Sequence, residues 1–162
     1  MKISYGITVH NEADELNKLL EVLVKHTDTE DEIIICDDYS NKETKDVIDH
    51  WELHSADSKT FKVYQRKLDG NFSDQKNSVI EKATGDYPNE ILLQQLKQII
   101  EMNEGVDLIW IPRVNTIEGM EQQHIQRWGW RVTENNWVNY PDYQARVFRR
   151  DESIRWTRPL HE

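Results

Sequence analysis

The feature that most constrains the fold of this chain is a repeated pattern of short apolar runs, each followed by a helical repeat. The runs Ile3–Val9 and Glu32–Cys36 are rich in β-branched side chains, which predicts two buried strands. Four leucines between residues 16 and 23 recur at helical spacing and predict an amphipathic helix over 12–25. Strands that alternate with helices in this way predict an α/β fold with a mainly parallel sheet and helices on both faces.

The rest of the chain continues the pattern as far as Pro112. We expect helices over 43–51, 72–83 and 90–102, the last one capped by Asn89, and strands over 61–65 and 106–111. Residues 113–139 lack a clean period, which indicates an irregular excursion or a bent hairpin before a last strand over 143–149. Because no linker rich in proline, glycine or serine occurs, we expect a single domain over 1–162.

Composition excludes several classes of protein. The net charge of −10 argues against nucleic acid as the main partner, because a phosphate backbone requires a basic surface. The longest apolar runs are too short to span a bilayer, and the first residues lack the apolar core of a signal peptide. The single cysteine, Cys36, excludes an internal disulfide and indicates a reducing, cytoplasmic setting.

Polar residues follow the first two predicted strands at the point where each strand ends. They are Thr8 and Asn11 after the first strand, and Asp37 and Asp38 after the second. Ligands of open parallel sheets bind outside these strand ends, where a carboxylate can accept hydrogen bonds from a uracil N–H or from ribose hydroxyls. No glycine-rich dinucleotide motif or P-loop occurs. We interpret these residues as a nucleoside site; the alternative is that the two aspartates only cap the next helix.

Polar and aromatic side chains are also dense near the end of the chain. Asp142, Gln144 and Arg146 alternate along the last predicted strand, so all three could point into one cavity. Asp142 is either a functional carboxylate of that cavity or an aspartate in a proline turn with a salt bridge in the strand. Four tryptophans could stack on sugar rings or could equally cover the sheet: Trp128, Trp130, Trp137 and Trp156.

These segments together resemble the nucleotide-sugar glycosyltransferases of the GT-A fold, in the family-two group of inverting enzymes. The segment from Pro141 to Phe148 is similar to the acceptor-side motif of the lipopolysaccharide-core-type members, which implies that Asp142 is the general base of an inverting transfer. The resemblance implies that Asp38 contacts the nucleoside base, within an Asp-Asp-x-Ser signature that includes Asp37. Thr8 and Asn11 would then line the same pocket. Residues 69–77 are similar to the family's Phe-Ser-x-x-Arg-Asn stretch, in which Lys76 replaces the usual arginine and loses its bidentate fork.

One motif of the resembled family is missing. Relatives have a strand and an Asp-x-Asp pair between Gly-Asp-Tyr and Pro-Asn-Glu, whereas here Gly85-Asp86-Tyr87 leads directly into Pro88. The resemblance therefore implies a deletion and a sheet that lacks one strand. It also leaves the predicted divalent metal, Mn²⁺ or Mg²⁺, with His161 and Glu162 as its candidate ligands.

The resemblance implies a glycosyltransferase that moves a sugar from a UDP-sugar to a saccharide acceptor with inversion. Residues 1–112 would bind the nucleotide sugar and residues 113–162 the acceptor. Two alternatives stay open: a degenerate nucleotide-sugar binder without the metal motif, and an interaction domain that uses its tryptophan-rich surface. A lost strand would leave sheet edges to re-pair, which makes a homodimer plausible.

Overall fold

A mixed six-stranded sheet forms the centre of the molecule. The computed structural model describes residues 1–55, 60–85, 87–89 and 96–159. Within these residues the strand order is β3-β2-β1-β4-β6-β5. The strands are β1 Ile3–Val9, β2 Glu32–Asp37, β3 Thr60–Gln65, β4 Tyr87–Asn89, β5 Leu108–Arg113 and β6 Asp142–Phe148. The helices are α1 Ala13–His26, α2 Lys42–Ser55, α3 Phe72–Lys82, α4 Leu96–Glu101 and α5 Gln122–Trp128.

Strand β2, next to the edge strand β3, is buried on both faces. Ile33 and Ile35 belong to an apolar cluster with the leucines of α1, while Ile34 and Cys36 pack with Val79 on α3. Such burial on both faces is typical of parallel strands covered by helices. The pairs β3–β2, β2–β1 and β1–β4 are parallel, so the predicted mainly parallel α/β sheet is confirmed. None of the described helices is long and apolar enough to cross a membrane.

Residues 87–89 correct the prediction that one strand is missing. They form the short strand β4, which pairs in parallel with residues 3–5 of β1 and, through Asn89, with Val147 of β6. Asn89, the predicted helix cap, is therefore a strand residue. Gly85 allows this approach, because a Cβ at that position would lie 2.8 Å from the Lys2 carbonyl oxygen. Of the helix predicted over 90–102, the structure describes α4, and residues 90–95 lie outside the described part.

The excursion after β5 contains a helix that the sequence pattern does not predict. Helix α5 begins beside Glu121, whose backbone N–H donates to His124 Nδ1 at 3.1 Å, and it ends at Gly129 with a φ of +62°. None of its residues is buried, so it lacks the apolar periodicity from which helices are predicted. Val132 and Val138 then form an isolated bridge. The predicted irregular excursion or bent hairpin therefore contains, in addition, a helix that was not predicted.

The antiparallel pairing of β5 and β6 places the start of β6 at the same sheet edge as the predicted nucleoside site. Strand β6 runs antiparallel to both β4 and β5. Its first residue, Asp142, and the last residue of β5, Arg113, consequently lie at the edge where the parallel strands β1 and β2 end. The fold thus gathers the polar residues of both halves of the sequence along one edge.

Candidate functional site

A pocket of about 190 Å³ opens at the carboxyl ends of β1 and β2. Thr8 is the exposed residue of the otherwise buried strand β1, so its side chain is available there. The loop before α3 and the first turn of α3 complete the walls. The lining residues are Thr8, Val9, His10, Glu12, Asp38, Leu68, Phe72 and Gln75.

Asp38 is one of two carboxylate residues in the pocket lining, the other being Glu12. Its Oδ1 accepts a hydrogen bond from the Leu68 backbone N–H at 3.0 Å, which joins the end of β2 to the loop before α3. His10 Nδ1 donates to the Asp38 backbone carbonyl at 2.7 Å and lies 3.7 Å from Oδ2. Oδ2 therefore keeps room to accept a hydrogen bond from a ligand N–H or O–H.

Asp37 has a different environment from its neighbour. It is 2% exposed, and it accepts hydrogen bonds from the Ser40 backbone N–H at 2.9 Å and from Gln65 Nε2 at 2.8 Å. Burial raises the pKa of the Asp37 carboxyl, but these hydrogen bonds outweigh burial and leave the pKa below its ordinary value. Asp37 thereby holds the loop in which Tyr39 adopts a φ of +51°, an uncommon value for a bulky residue.

Asn11 connects the loops after β1 and β2. Its Oδ1 accepts the Asn41 backbone N–H at 2.7 Å, and its Nδ2 donates to His10 Nε2 at 3.0 Å. With a φ of +56° it occupies the left-handed region, which asparagine tolerates better than most residues. Asn11 thus lies against the pocket residue His10 and is not itself part of the pocket lining.

Lys76 faces the end of the chain. Its Nζ lies 4.1 Å from the centre of the Trp156 ring, a cation–π contact. Its neighbour Asn77 binds the Trp156 backbone, whereas Gln75 of the same helix lines the pocket.

Asp142 lies in a separate polar cluster at the start of β6. Its Oδ2 accepts hydrogen bonds from Arg113 Nε at 3.0 Å, Arg113 Nη2 at 2.6 Å and Asn115 Nδ2 at 3.0 Å. Its Oδ1 accepts from Gln144 Nε2 at 3.0 Å. The hydrogen bonds from Asn115 and Arg113 hold the pKa of the Asp142 carboxyl below its usual range.

The regular alternation predicted along β6 holds for Asp142 and Gln144 but not as far as Arg146. The register passes from the pair Trp110–Ala145 to the pair Ile109–Val147, so Arg146 falls in an irregularity of the ladder. An extra residue of this kind shifts the side chains on either side of it. Gln144 therefore contacts Asp142 as predicted, whereas the alternation along the strand no longer puts Arg146 on the same face as these two residues.

The strand registers place the pocket at the end of β1 and the Asp142 cluster at the start of β6 at the same level along the strand direction. Asn89 pairs with both Tyr5 and Val147, so those two residues are level. Because Arg146 is an extra residue in the ladder, the five steps from Val147 to Asp142 match four steps on a regular strand, which from Tyr5 reach Val9 at the end of β1. With about 4.8 Å between neighbouring strands, these positions are roughly 10 Å apart across the position of β4.

Several residues of the two clusters escaped the sequence analysis. His10 and Leu68 carry no motif of their own, although His10 stands next to Asn11, and Phe72 begins the Phe-Ser stretch within residues 69–77. Arg113 and Asn115 follow the apolar run 106–111 much as the nucleoside residues follow the first two strands. That strand-then-polar arrangement is the signal by which they could have been found.

Among the described residues, no group of three or more His, Cys, Asp or Glu side chains could hold a metal ion. His161 and Glu162, the predicted ligands, lie outside the described residues, as does Asp86. The described side chains therefore do not form the implied metal site, and we derive no step from a metal.

The tryptophans divide between exposed and packed positions. Trp128 is 54% exposed and stacks on His124, with ring centres 5.4 Å apart. It also contacts Trp130 at 4.8 Å, whereas Trp137 packs edge-on against Tyr140. Only part of this aromatic surface is consequently open to a ligand.

Comparison with known proteins points to one family. The family model described as "Glycosyl transferase family 2" matches residues 4–88, slightly more than half of the chain. The match spans Thr8, Asp37, Asp38 and the whole of the pocket lining. A search of curated protein sequences found no match.

Solved structures share the fold over a larger part of the chain. S. aureus TarS 1-349 matches with a TM-score of 0.61 and 19% identity, covering 93% of this chain and 47% of that chain. The structure of S. aureus TarS 1-349 in complex with UDP-GlcNAc matches with a TM-score of 0.58 and 20% identity, covering 75% and 36%. This chain thus spans less than half the length of these structures, and at these identities the likeness concerns the fold.

Proposed function

The chain belongs to glycosyl transferase family 2 and has the GT-A fold, and we propose that it transfers a sugar from a nucleoside diphosphate donor to a saccharide acceptor. We propose inversion at the anomeric carbon and UDP as the nucleotide. The complexes of TarS with UDP-GlcNAc and with UDP support UDP as the first nucleotide to test.

The position of Asp38 carries the proposal. One carboxylate oxygen is held by the Leu68 N–H, and the other lies at the wall of a pocket with Thr8 and Phe72. The volume of about 190 Å³ is below the roughly 300 Å³ at which pockets for whole small molecules begin. This supports a pocket for the nucleoside alone, with the diphosphate and the sugar extending outside it toward β6.

Asp142 is the proposed general base. The acceptor hydroxyl oxygen forms a bond to the anomeric carbon while its proton passes to the Asp142 carboxylate. The bond from the anomeric carbon to the diphosphate oxygen breaks, and its electron pair leaves with the nucleoside diphosphate. Since Oδ2 already accepts three hydrogen bonds and Oδ1 accepts one, Oδ1 is the oxygen with capacity for the acceptor proton.

Arg113 and Asn115 then determine the strength of this base. Their hydrogen bonds lower the pKa of Asp142, so the carboxylate is ionised well below neutral pH. A base of lower pKa has less driving force for proton transfer, so the proton moves as the bond to the anomeric carbon forms. The same hydrogen bonds fix the orientation of the carboxylate, which favours transfer through positioning.

Calorimetric titration of UDP, with ADP as the matched control, tests the donor site. ADP has the same diphosphate, so tighter binding of UDP reports recognition of the base. Release of UDP from a panel of UDP-sugars with saccharide acceptors then tests the transfer. If UDP binds no more tightly than ADP, the nucleoside assignment is wrong. Binding of UDP without turnover of any UDP-sugar would favour the alternative, a nucleotide-sugar binder that has lost its activity.

A further inference from the structure

Residues 156–159 are bound along helix α3 by a series of hydrogen bonds. Asn77 Nδ2 donates to the Trp156 carbonyl oxygen at 2.9 Å, and the Trp156 N–H donates to Asn77 Oδ1 at 3.0 Å. The Ser73 hydroxyl donates to the Arg158 carbonyl oxygen, and the Phe72 N–H donates to the Pro159 carbonyl oxygen at 3.1 Å. We call residues 154–159 the tail.

These contacts define a continuous path. From Asn77 to Ser73 the helix rises about 6 Å, and from Trp156 to Arg158 an extended chain advances about 7 Å. The matching advance lets one stretch of chain bond to the helix repeatedly as it runs toward the helix N-terminus. The tail therefore ends its described course at Phe72, which lines the donor pocket.

The cations near this path have different surroundings. Lys76 lies over the Trp156 ring, and the Arg155 guanidinium donates to the backbone carbonyls of Asp151 and Ile154, both at 2.7 Å. Arg158 is exposed, and its own carbonyl is held by Ser73, one turn or less from the pocket residues Phe72 and Gln75. Of the two tail arginines, Arg158 is thus the one carried to the rim of the pocket.

We infer that Arg158, at the end of the tail nearest the pocket, forms the diphosphate subsite of the donor, with Asn77 acting as a positioning residue through Trp156. This inference rests on the proposed function, because it concerns the part of a nucleoside diphosphate that extends beyond the pocket. An arginine guanidinium matches phosphate oxygens with paired hydrogen bonds. Asn77 reaches the donor only through the tail, since both ends of its side-chain amide are bound to Trp156.

The test compares the affinities of UDP and uridine for the full chain in the presence of EDTA. Arg158→Ala is expected to weaken UDP about tenfold or more and to leave uridine unchanged, because only UDP has the diphosphate. Arg155→Ala is the matched control: it removes the same charge three residues away and is expected to change neither affinity. Asn77→Ala is expected to act like Arg158→Ala.

Trypsin provides a second readout of the role of Asn77. Both backbone groups of Trp156 are bound to Asn77, so cleavage of the Arg155–Trp156 bond requires the tail to detach. Asn77→Ala is expected to speed this cleavage, followed by mass spectrometry, relative to cleavage after Arg66. Asn77→Asp, which retains the acceptor for the Trp156 N–H, is expected to restore part of both the protection and the UDP affinity.

The outcomes separate the inference from the proposed function. If wild type binds UDP and Arg158→Ala binds it equally well, or if Arg155→Ala is as harmful, the subsite assignment is wrong while the donor pocket stands. Faster cleavage in Asn77→Ala with unchanged UDP affinity would overturn the positioning role. Failure of wild type to bind UDP would overturn the proposed function and this inference together.

Discussion

Arg113 and Asp142 form an ion pair in which two guanidinium nitrogens, Nε at 3.0 Å and Nη2 at 2.6 Å, meet the same carboxylate oxygen. The two residues are opposite each other in the register of β5 and β6. The whole excursion 114–141 leaves and returns to the sheet at this pair. This one ion pair therefore joins the two ends of the excursion, and it also favours the ionised form of Asp142, the proposed general base.

Removing the arginine should move the pH dependence of transfer. Asp142 must be ionised to accept a proton, and Arg113 favours the ionised form, so Arg113→Ala is expected to raise the pKa of Asp142. The acid limb of kcat/KM against pH should then shift to higher pH. A pH–rate profile of UDP release measures this shift.

The control for that variant is Arg149→Ala. Arg149 Nε pairs with Asp107 Oδ1 at 3.0 Å at the opposite ends of the same two strands. Its removal is expected to leave the acid limb where wild type has it. An acid limb that stays in place in Arg113→Ala would mean that the limb does not report Asp142.

Asp142→Asn should greatly slow sugar transfer without weakening the binding of the donor nucleotide. General base catalysis contributes about 10²–10⁴-fold, so turnover of the UDP-sugar is expected to fall by about that factor. UDP affinity should stay within twofold or so of wild type, because Asp142 lies roughly 10 Å from the nucleoside pocket. Asp107→Asn serves as the matched carboxylate variant, and undiminished turnover in Asp142→Asn would show that another group is the base.

The adjacent aspartates Asp37 and Asp38 should have different roles: Asp37 should stabilise the fold, and Asp38 should bind the nucleoside. Asp38→Ala is expected to weaken UDP about tenfold or more, since it removes the carboxylate at the pocket wall. Asp37→Ala leaves the Ser40 N–H without its acceptor and is expected to cost about 1–3 kcal/mol of the free energy of unfolding. Urea unfolding and calorimetric titration of both variants check the division. The reverse pattern would exchange the two assignments.

The sequence predicted the parts of the fold in which local pattern and tertiary environment agree. Strands β1 and β2 are apolar runs that become buried, and the leucines of α1 meet them at helical spacing. Strand β4 escaped prediction because Tyr-Pro-Asn has turn-forming composition, and its three residues are strand only by pairing with β1 and β6. Helix α5 escaped because it buries no side chain.

The sequence predicted where the site lies in the fold, but it did not predict the hydrogen-bond partners of the site residues. Asp142 was predicted from the alternation along the last strand and from the family resemblance. The rule that ligands bind at strand ends placed Thr8 and Asp38 at one edge. It could not tell which aspartate of the pair is buried, because that depends on Gln65 of a neighbouring strand. Nor could it give the partner of Asn77, which lies 79 residues away in the sequence.

Glu32 should make the protein sensitive to acid. Its side chain is fully buried and accepts hydrogen bonds from the Ser4 hydroxyl at 2.6 Å and the Thr84 N–H at 2.5 Å, with ion pairs to Lys2 and Lys62. Burial raises the pKa of Glu32, but these contacts outweigh burial and lower it well below its ordinary value. A lowered folded-state pKa adds stability that is complete above the unfolded value of about 4.3 and is lost as pH falls below it.

Glu32→Gln tests this contribution. Removing one partner of a buried ion pair costs about 3–5 kcal/mol, and we expect about 3 kcal/mol because both lysines are a third exposed and can be solvated. The difference in unfolding free energy from wild type should shrink as pH falls from 6 toward 3. Glu30→Gln, at an exposed residue, should cost little at any pH. A Glu32→Gln difference that is constant with pH would exclude the ionised carboxylate as its cause.

The metal predicted from the family resemblance can be separated experimentally from the arginine subsite. If His161 and Glu162 bind Mn²⁺, addition of Mn²⁺ is expected to raise the affinity for UDP about tenfold over that in EDTA. His161→Ala should remove the gain and leave the affinity in EDTA unchanged, and Arg158→Ala should lower the affinity in EDTA.

His26→Ala, at the end of α1, is the control for loss of a histidine. A gain that persists in His161→Ala would assign the metal to other residues, and the absence of any gain would refute the metal prediction for UDP binding.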